Sequence, residues 1–182
     1  RNLHSISSAD YLIVTTEALL PEAERLAATH REKQGLEVAV VTQNEVFNEF
    51  SSGSPHPNAL RKFVRMLYER PDRPLRYLLL LGCPTYDPRH NLSDDGTEHL
   101  VGYEVERSDQ AASEATDHAT DLYFGMMADR IPENLGASYT EVSVSVGRAP
   151  VLTADEARIF VDKCVAYLND PRVAGRPDLA VL

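Results

Sequence analysis

"YLIVTTEALLPEAERLAATHREKQGLEVAVVT", Tyr11 to Thr42, reads as one structural unit. Its first five residues form a compact apolar run that includes β-branched Ile13, Val14 and Thr15, the pattern of a strand covered on both faces. The next stretch changes period. Pro21 suits the first turn of a helix, Ala23, Leu26, Ala27 and His30 recur along one stripe, and Gly35 supplies the stop. Leu36 to Thr42 is apolar again apart from Glu37. A strand, an amphipathic helix and a second strand buried on both faces specify parallel pairing with the helix as cover.

The same pattern continues outward from this unit. After a polar loop, "NEFSSGSPHP" (48–57), the stretch "NALRKFVRMLYER" places Leu60, Phe63, Val64 and Leu67 at helical spacing and stops before Pro71. "LRYLLLLG" (75–82) is a third buried strand. In "EVSVSVGRAPV" (141–151), Val142, Val144 and Val146 alternate with Ser143 and Ser145 as a fourth strand does. A capping box, Thr153 to Glu156, then opens a helix that turns Ala157, Phe160, Val161, Cys164 and Leu168 inward. The closing "DLAVL" reads as the start of a further strand, so the sequence is taken as a piece of something larger. The expected fold is one α/β subdomain over 1–182, with a mainly parallel sheet, helices on both faces, and a long irregular insertion at 83–140. A connection of that length inside a compact domain is a place to look for function.

Composition removes several function classes. Eighteen basic residues against twenty-eight acidic ones leave a formal charge of −10, which opposes binding to the phosphates of nucleic acid. No apolar run approaches the roughly 20 residues of a membrane-spanning helix. The first residues carry no secretory signal pattern, although such a segment can precede residue 1 in a longer parent. The turn after the first strand, "TTEALLPEAERL", holds neither of the glycine patterns that cradle phosphates. The six histidines show no spacing suited to zinc. Oxygens for calcium exist at Asp94, Asp95 and Glu98, or at Asp117 and Asp121, without EF-hand spacing, and a solvated acidic loop is the plainer account.

The two cysteines lack Cys-x-x-Cys spacing, and a disulfide between Cys83 and Cys164 stays open. Cys164 sits on the inward helix stripe as a small hydrophobe. Cys83 ends the third strand, where α/β proteins keep their sites, with His90, His99 and His118 in the segment that follows. Against a nucleophile stands Pro84, which removes an amide that would otherwise lie beside a bound oxyanion.

Taken in order, "YLIVTTEALLPEAERLAATHREKQGLEVAVVT", "PNALRKFVRMLYE", "RYLLLLGCPTYDPRHN", "TDLYFG" and "VSVGRAPVLTADEARIFVDKCVAYL" resemble the first half of a gingipain-type cysteine peptidase domain. Within that family they are most similar to the sortases of the type IX secretion system, which process and anchor exported proteins at the outer membrane of Bacteroidetes. The resemblance covers nearly the whole chain and implies a caspase-like architecture of two α/β subdomains. It places the catalytic histidine and cysteine in the second. The partners it implies are therefore a downstream catalytic subdomain and protein substrates, at the cell surface or in secreted form.

The family's third strand commonly continues Gly-Asp-Gly-Ser-Tyr-Asp, where this sequence has Gly82-Cys-Pro-Thr-Tyr-Asp87. Cys83 thus stands at an aspartate position rather than at the nucleophile. Leu122 likewise replaces an aspartate in a Thr-Asp-Asp-Tyr-Phe-Gly pattern. No catalytic residue carries over. Asp87, Asp121, Tyr123 and Arg148 are the family-like polar positions: they border the catalytic half or help bind substrate, or else Arg148 pairs with a loop carboxylate and holds the long segment down. The competing readings are a non-enzymatic α/β binding scaffold and a degenerate peptidase homologue kept for docking.

Overall fold

The computed structural model describes residues 2–85, 96–105, 118–129 and 141–172. Four parallel strands form the centre: β1 (Tyr11–Thr15), β2 (Val38–Thr42), β3 (Tyr77–Leu81) and β6 (Ser145–Ala149), in the order β2-β1-β3-β6. Two short antiparallel strands, β4 (Glu104–Val105) and β5 (His118–Ala119), pair apart from it. The helices are α1 (Leu20–Gln34), α2 (Gln43–Phe50), α3 (Pro57–Tyr68) and α4 (Ala154–Leu168).

Side chains alternate across a strand, so each strand feeds both faces of the sheet. On one face Leu12, Val14, Leu78 and Leu80 meet Val46 and Phe47 of α2 and Leu60, Phe63, Val64 and Leu67 of α3. On the other, Tyr11, Ile13, Val38, Val40, Leu79 and Leu81 meet Ala23, Leu26 and Ala27 of α1 and Val161 of α4. Every residue of β1 is buried. Each fully buried Leu or Ile contributes roughly 2 kcal/mol of transfer free energy. The sheet therefore forms because its continuous apolar runs have no second polar face to offer to water.

The first unit follows its sequence pattern closely. Pro21 lies in the first turn of α1, and Gly35 caps it at φ 66°, the left-handed conformation that glycine adopts without a Cβ clash. Two expectations are corrected, and one open question is closed. Helix α2 occupies Gln43–Phe50, so the loop is 51–56 rather than 48–57; the helix starts on a full capping box between Thr42 and Glu45. The fourth strand begins at Ser145, three residues after Val142, because the amides of Ser143 and Val144 both bond to the Gly125 carbonyl instead of a neighbouring strand. Cys83 and Cys164 are free thiols, not a disulfide.

The stripe on α4 is only partly covered. Ala157 and Val161 are buried, whereas Phe160, Cys164 and Leu168 are half-buried. Burial pushes the Cys164 thiol pKa upward and keeps it protonated and inert at neutral pH. Within 83–140, the described residues carry β4, β5 and a 3-10 turn at Leu122–Gly125. His118, in the insertion read as irregular, belongs to β5. The residues of "DLAVL" lie outside the described ones.

Candidate functional site

Strand order reverses at β1, which sends the chain to β2 on one side and receives β3 on the other. In a doubly wound sheet the crevice at that switch, beyond the carboxyl ends of the strands, is where a ligand would enter. Here Thr15 Oγ1 donates to the Leu81 carbonyl at 2.9 Å and closes the β1–β3 seam. Beyond the seam lies the chain itself. Leu100 is fully buried, and its amide donates to the Cys83 carbonyl at 2.9 Å. A Cβ added to Gly82, at φ 156°, would stand 2.7 Å from the Leu100 Cβ. Glycine at this strand exit lets the strap from Glu98 to Tyr103 seat where a ligand would otherwise lie.

Polar side chains hold the strap. Gln43, the first residue of α2, donates from Nε2 to Glu98 Oε1 at 3.0 Å and to the His99 carbonyl at 2.8 Å, and its Oε1 accepts from the Val101 amide at 2.9 Å. Glu98 also accepts from Asn44 and from the Glu17 amide. Composition and spacing alone pass over Gln43. The readable signal is the Thr42-x-x-Glu45 spacing, which starts a helix and places the next side chain at the sheet's carboxyl end.

Arg148 completes the arrangement from β6. Its Nε and Nη2 form a fork on Asp121, at 2.8 and 2.7 Å, Nη1 donates to the Gly82 carbonyl at 3.0 Å and Nη2 to the Val101 carbonyl at 2.9 Å. The guanidinium side chain is 9% exposed. One cation thus joins three segments: the exit of β3, the strap and the turn at Asp121. A planar five-donor group satisfies all of them at once, which a lysine does not.

Of the four family-like positions, three come together. Tyr123 is buried next to Asp121, stacked face to face on Tyr103 at 3.7 Å, with the Arg61 guanidinium 5.7 Å from its ring centre. Burial raises its pKa; Arg61 opposes the shift and Tyr103 adds to it, so the phenol is neutral across the physiological range. Arg61 also donates to the carbonyls of Met126 and Ala128, fastening the 3-10 segment to α3. Asp87 lies outside the described residues, as do His90, Asp94, Asp95 and Asp117.

The chemistry available is that of a clamp. Cys83 Sγ donates to the Pro84 carbonyl at 3.6 Å, and among the described residues no histidine hydrogen-bonds to it. The two described carboxylates weighed for calcium are engaged, Asp121 by Arg148 and Glu98 by Gln43 and Asn44. Among the described residues no group of three or more His, Cys, Asp or Glu could hold a metal. A cleft of about 330 Å³ remains beside the strap, between Phe47, Pro55, Pro57 and Val101.

Comparison with known proteins places these features. The family model described as Peptidase family C25 matches residues 4–179. Dimeric latent PorU from Porphyromonas gingivalis superposes with a TM-score of 0.79 at 39% identity, over 92% of this chain and 16% of that one. The Arg-specific cysteine proteinase gingipain R (RgpB) gives 0.53 at 16% identity, over 92% of this chain and 30% of that one. The complex of Porphyromonas gingivalis RgpB pro- and mature domains gives 0.51 at 18% identity, over 86% and 28%. The gingipain matches share the fold. The chain spans less than a third of the length of each of these structures. Among curated proteins none matches.

Proposed function

The chain belongs to peptidase family C25, and from that membership we propose that it is the non-catalytic first half of a gingipain-like cysteine peptidase. The parent enzyme processes or anchors proteins exported by the type IX secretion system, at the cell surface or outer membrane. Its Cys-His pair lies in a second half of the domain, where thiolate attack on a peptide carbonyl forms an acyl-enzyme that water or an amine resolves. No described helix is long and apolar enough to cross a membrane.

The observation that carries this reading is the strap over the β1–β3 switch. Leu100 against Gly82 fills the usual ligand position, and Gln43, Glu98 and Arg148 spend their polar groups on backbone and on each other. Such a subdomain presents a rigid wall rather than reacting groups. Cys83 in this reading is structural.

The test is thiol labelling of the full-length protein with an alkylating peptide probe, mapped by mass spectrometry, together with Cys83→Ala. The expected result is a labelled cysteine outside 1–182 and unchanged cleavage by Cys83→Ala. Label on Cys83, with cleavage abolished in the variant, overturns the assignment. A second reading, a degenerate homologue retained for docking, rests on Leu122, which stands 48% exposed at the family's aspartate position. That reading is the outcome if no cysteine is labelled and nothing is cleaved.

A further inference from the structure

Leu100 fills the crevice over the β1–β3 seam, but the strap does not close the whole carboxyl rim of the sheet. Between the strap and α2 the cleft of about 330 Å³ stays open. Phe47, Pro55, Pro57 and Val101 form its apolar walls, and Glu98 and Gly102 line it from the strap. Phe47 is buried in the main core, so that wall is fixed, whereas Pro55 is exposed in the loop before α3. A mainly apolar recess with a few placed polar groups has the make-up of a ligand site.

The polar groups say what such a ligand carries. Among the described residues neither the amide nor the carbonyl of Gly102 has a hydrogen-bond partner. Its neighbours are engaged: the Val101 amide bonds to Gln43, and the Tyr103 carbonyl accepts from the Thr120 amide. A backbone unit with both groups open is a docking point for another main chain. Glu98 adds charge. Its carboxylate accepts only from neutral donors, Gln43, Asn44 and the Glu17 amide, and among the described residues no basic side chain pairs with it. The charge left uncompensated favours a cation beside the cleft and opposes an anion. Among the described residues no lysine or arginine lines the cleft to receive a phosphate.

We infer that this cleft binds an extended peptide segment of the substrate protein. One apolar side chain enters between Phe47 and the two prolines, the main chain of the segment bonds to Gly102, and a lysine or arginine beside the apolar residue faces Glu98. The identity of the partner as a substrate rests on the proposed peptidase reading. A peptide is the class that fits, because open backbone groups next to a side-chain pocket are what an extended chain recognises. The first half of the domain then contributes to substrate choice at a distance from the reacting thiol, on the carboxyl rim where α/β sheets take their ligands.

The test is photo-crosslinking to the full-length protein, mapped by mass spectrometry. The probe is a short glycine- and serine-rich peptide with one photoreactive leucine followed by lysine; its twin has glutamate in place of the lysine. Label is expected on 55–57 and 98–102, about fivefold stronger with the lysine peptide, the ratio that one exposed charge pair supplies. Pro55→Trp, which fills the cleft from an exposed loop, should abolish the label. Glu98→Gln keeps an acceptor for Gln43 and Asn44, and should retain the label while bringing the two peptides level. Label spread evenly over the surface overturns the inference. So does a lysine preference unaltered in Glu98→Gln, which decides the matter if the tryptophan variant fails to fold. A dimer by native mass that Pro55→Trp dissociates also overturns it, because a second copy then occupies the cleft. Thiol labelling reads the peptidase assignment separately. A labelled downstream cysteine with no label in the cleft removes only this inference, and label in the cleft with no reactive cysteine upholds the peptide site and removes the peptidase reading.

Discussion

Around β1 the molecule is held by apolar contact, and beyond β3 it is held by a few polar side chains. Leu12, Phe63 and Val64 sit in a core where each neighbour can be exchanged for another apolar group of similar volume at modest cost. The strap and the 3-10 turn have two deep apolar anchors, Leu100 and Phe124, but their positions are set by the donors of Gln43, Arg61 and Arg148. The lesson is one of failure modes. A core lesion is shared by everything packed on it, whereas loss of one polar clamp releases a segment and leaves a charge or carbonyl stranded.

The largest test of this contrast is Phe63→Ala. Phe63 is fully buried, so the cavity should cost about 4 kcal/mol and should shift β1, β3 and the strap together in one cooperative denaturation. Separate transitions for the strap and the sheet would break the comparison. Next comes Arg148→Met, which leaves the Asp121 carboxylate and the Gly82 and Val101 carbonyls without their donor. We expect a loss of about 3 kcal/mol by chemical denaturation, with amide exchange accelerated at 100–103 and 122–127 but not in β1. Arg148→Lys should recover little of it, because an ammonium cannot form the fork on Asp121. Full recovery by lysine would show that charge alone, not geometry, holds the segment.

The smallest effect belongs to pH. His30 is buried on α1 with its ring edge-on to Tyr11 at 5.0 Å and Nδ1 bonded to Gln34. Burial lowers its pKa below the ordinary 6.5, and the Gln34 bond opposes this only in part. The unfolded chain therefore binds the proton more readily than the folded one. Stability from this site is complete above about 6.5 and is lost as pH falls toward the depressed folded value. His30→Phe should flatten the stability-versus-pH curve in that window. An unchanged slope would assign the acid sensitivity to other groups.

Legibility in the sequence followed the same division. The Tyr11–Thr42 unit, α3 and β3 were readable because strands buried on both faces leave short continuous apolar runs and amphipathic helices impose a period of 3.6 on apolar residues. Helix α2 is short and polar at its start, so only its capping box announced it. At the site, the family-like pattern singled out Asp121, Tyr123 and Arg148, and their proximity has no local sequence signature: Arg148 is 27 residues from Asp121 and 66 from Gly82. Gln43 is 58 residues from the Val101 amide it accepts from, and the capping-box spacing beside it marks a helix start but not that partner.

The sequence by itself determined that the chain is α/β, that its main sheet is parallel with its first three strands buried, and that its pattern is that of a peptidase family's first half. These properties are written in local periodicity and in short ordered motifs, which need no knowledge of the partner segment. Only the tertiary structure decided that the switch-point crevice is filled by Leu100, that one guanidinium gathers three segments, and that β6 is an edge of the sheet among the described residues. Each of these depends on which distant backbone a side chain meets once the sheet has brought them together, and hydrogen-bond geometry over such separations leaves no period in the sequence.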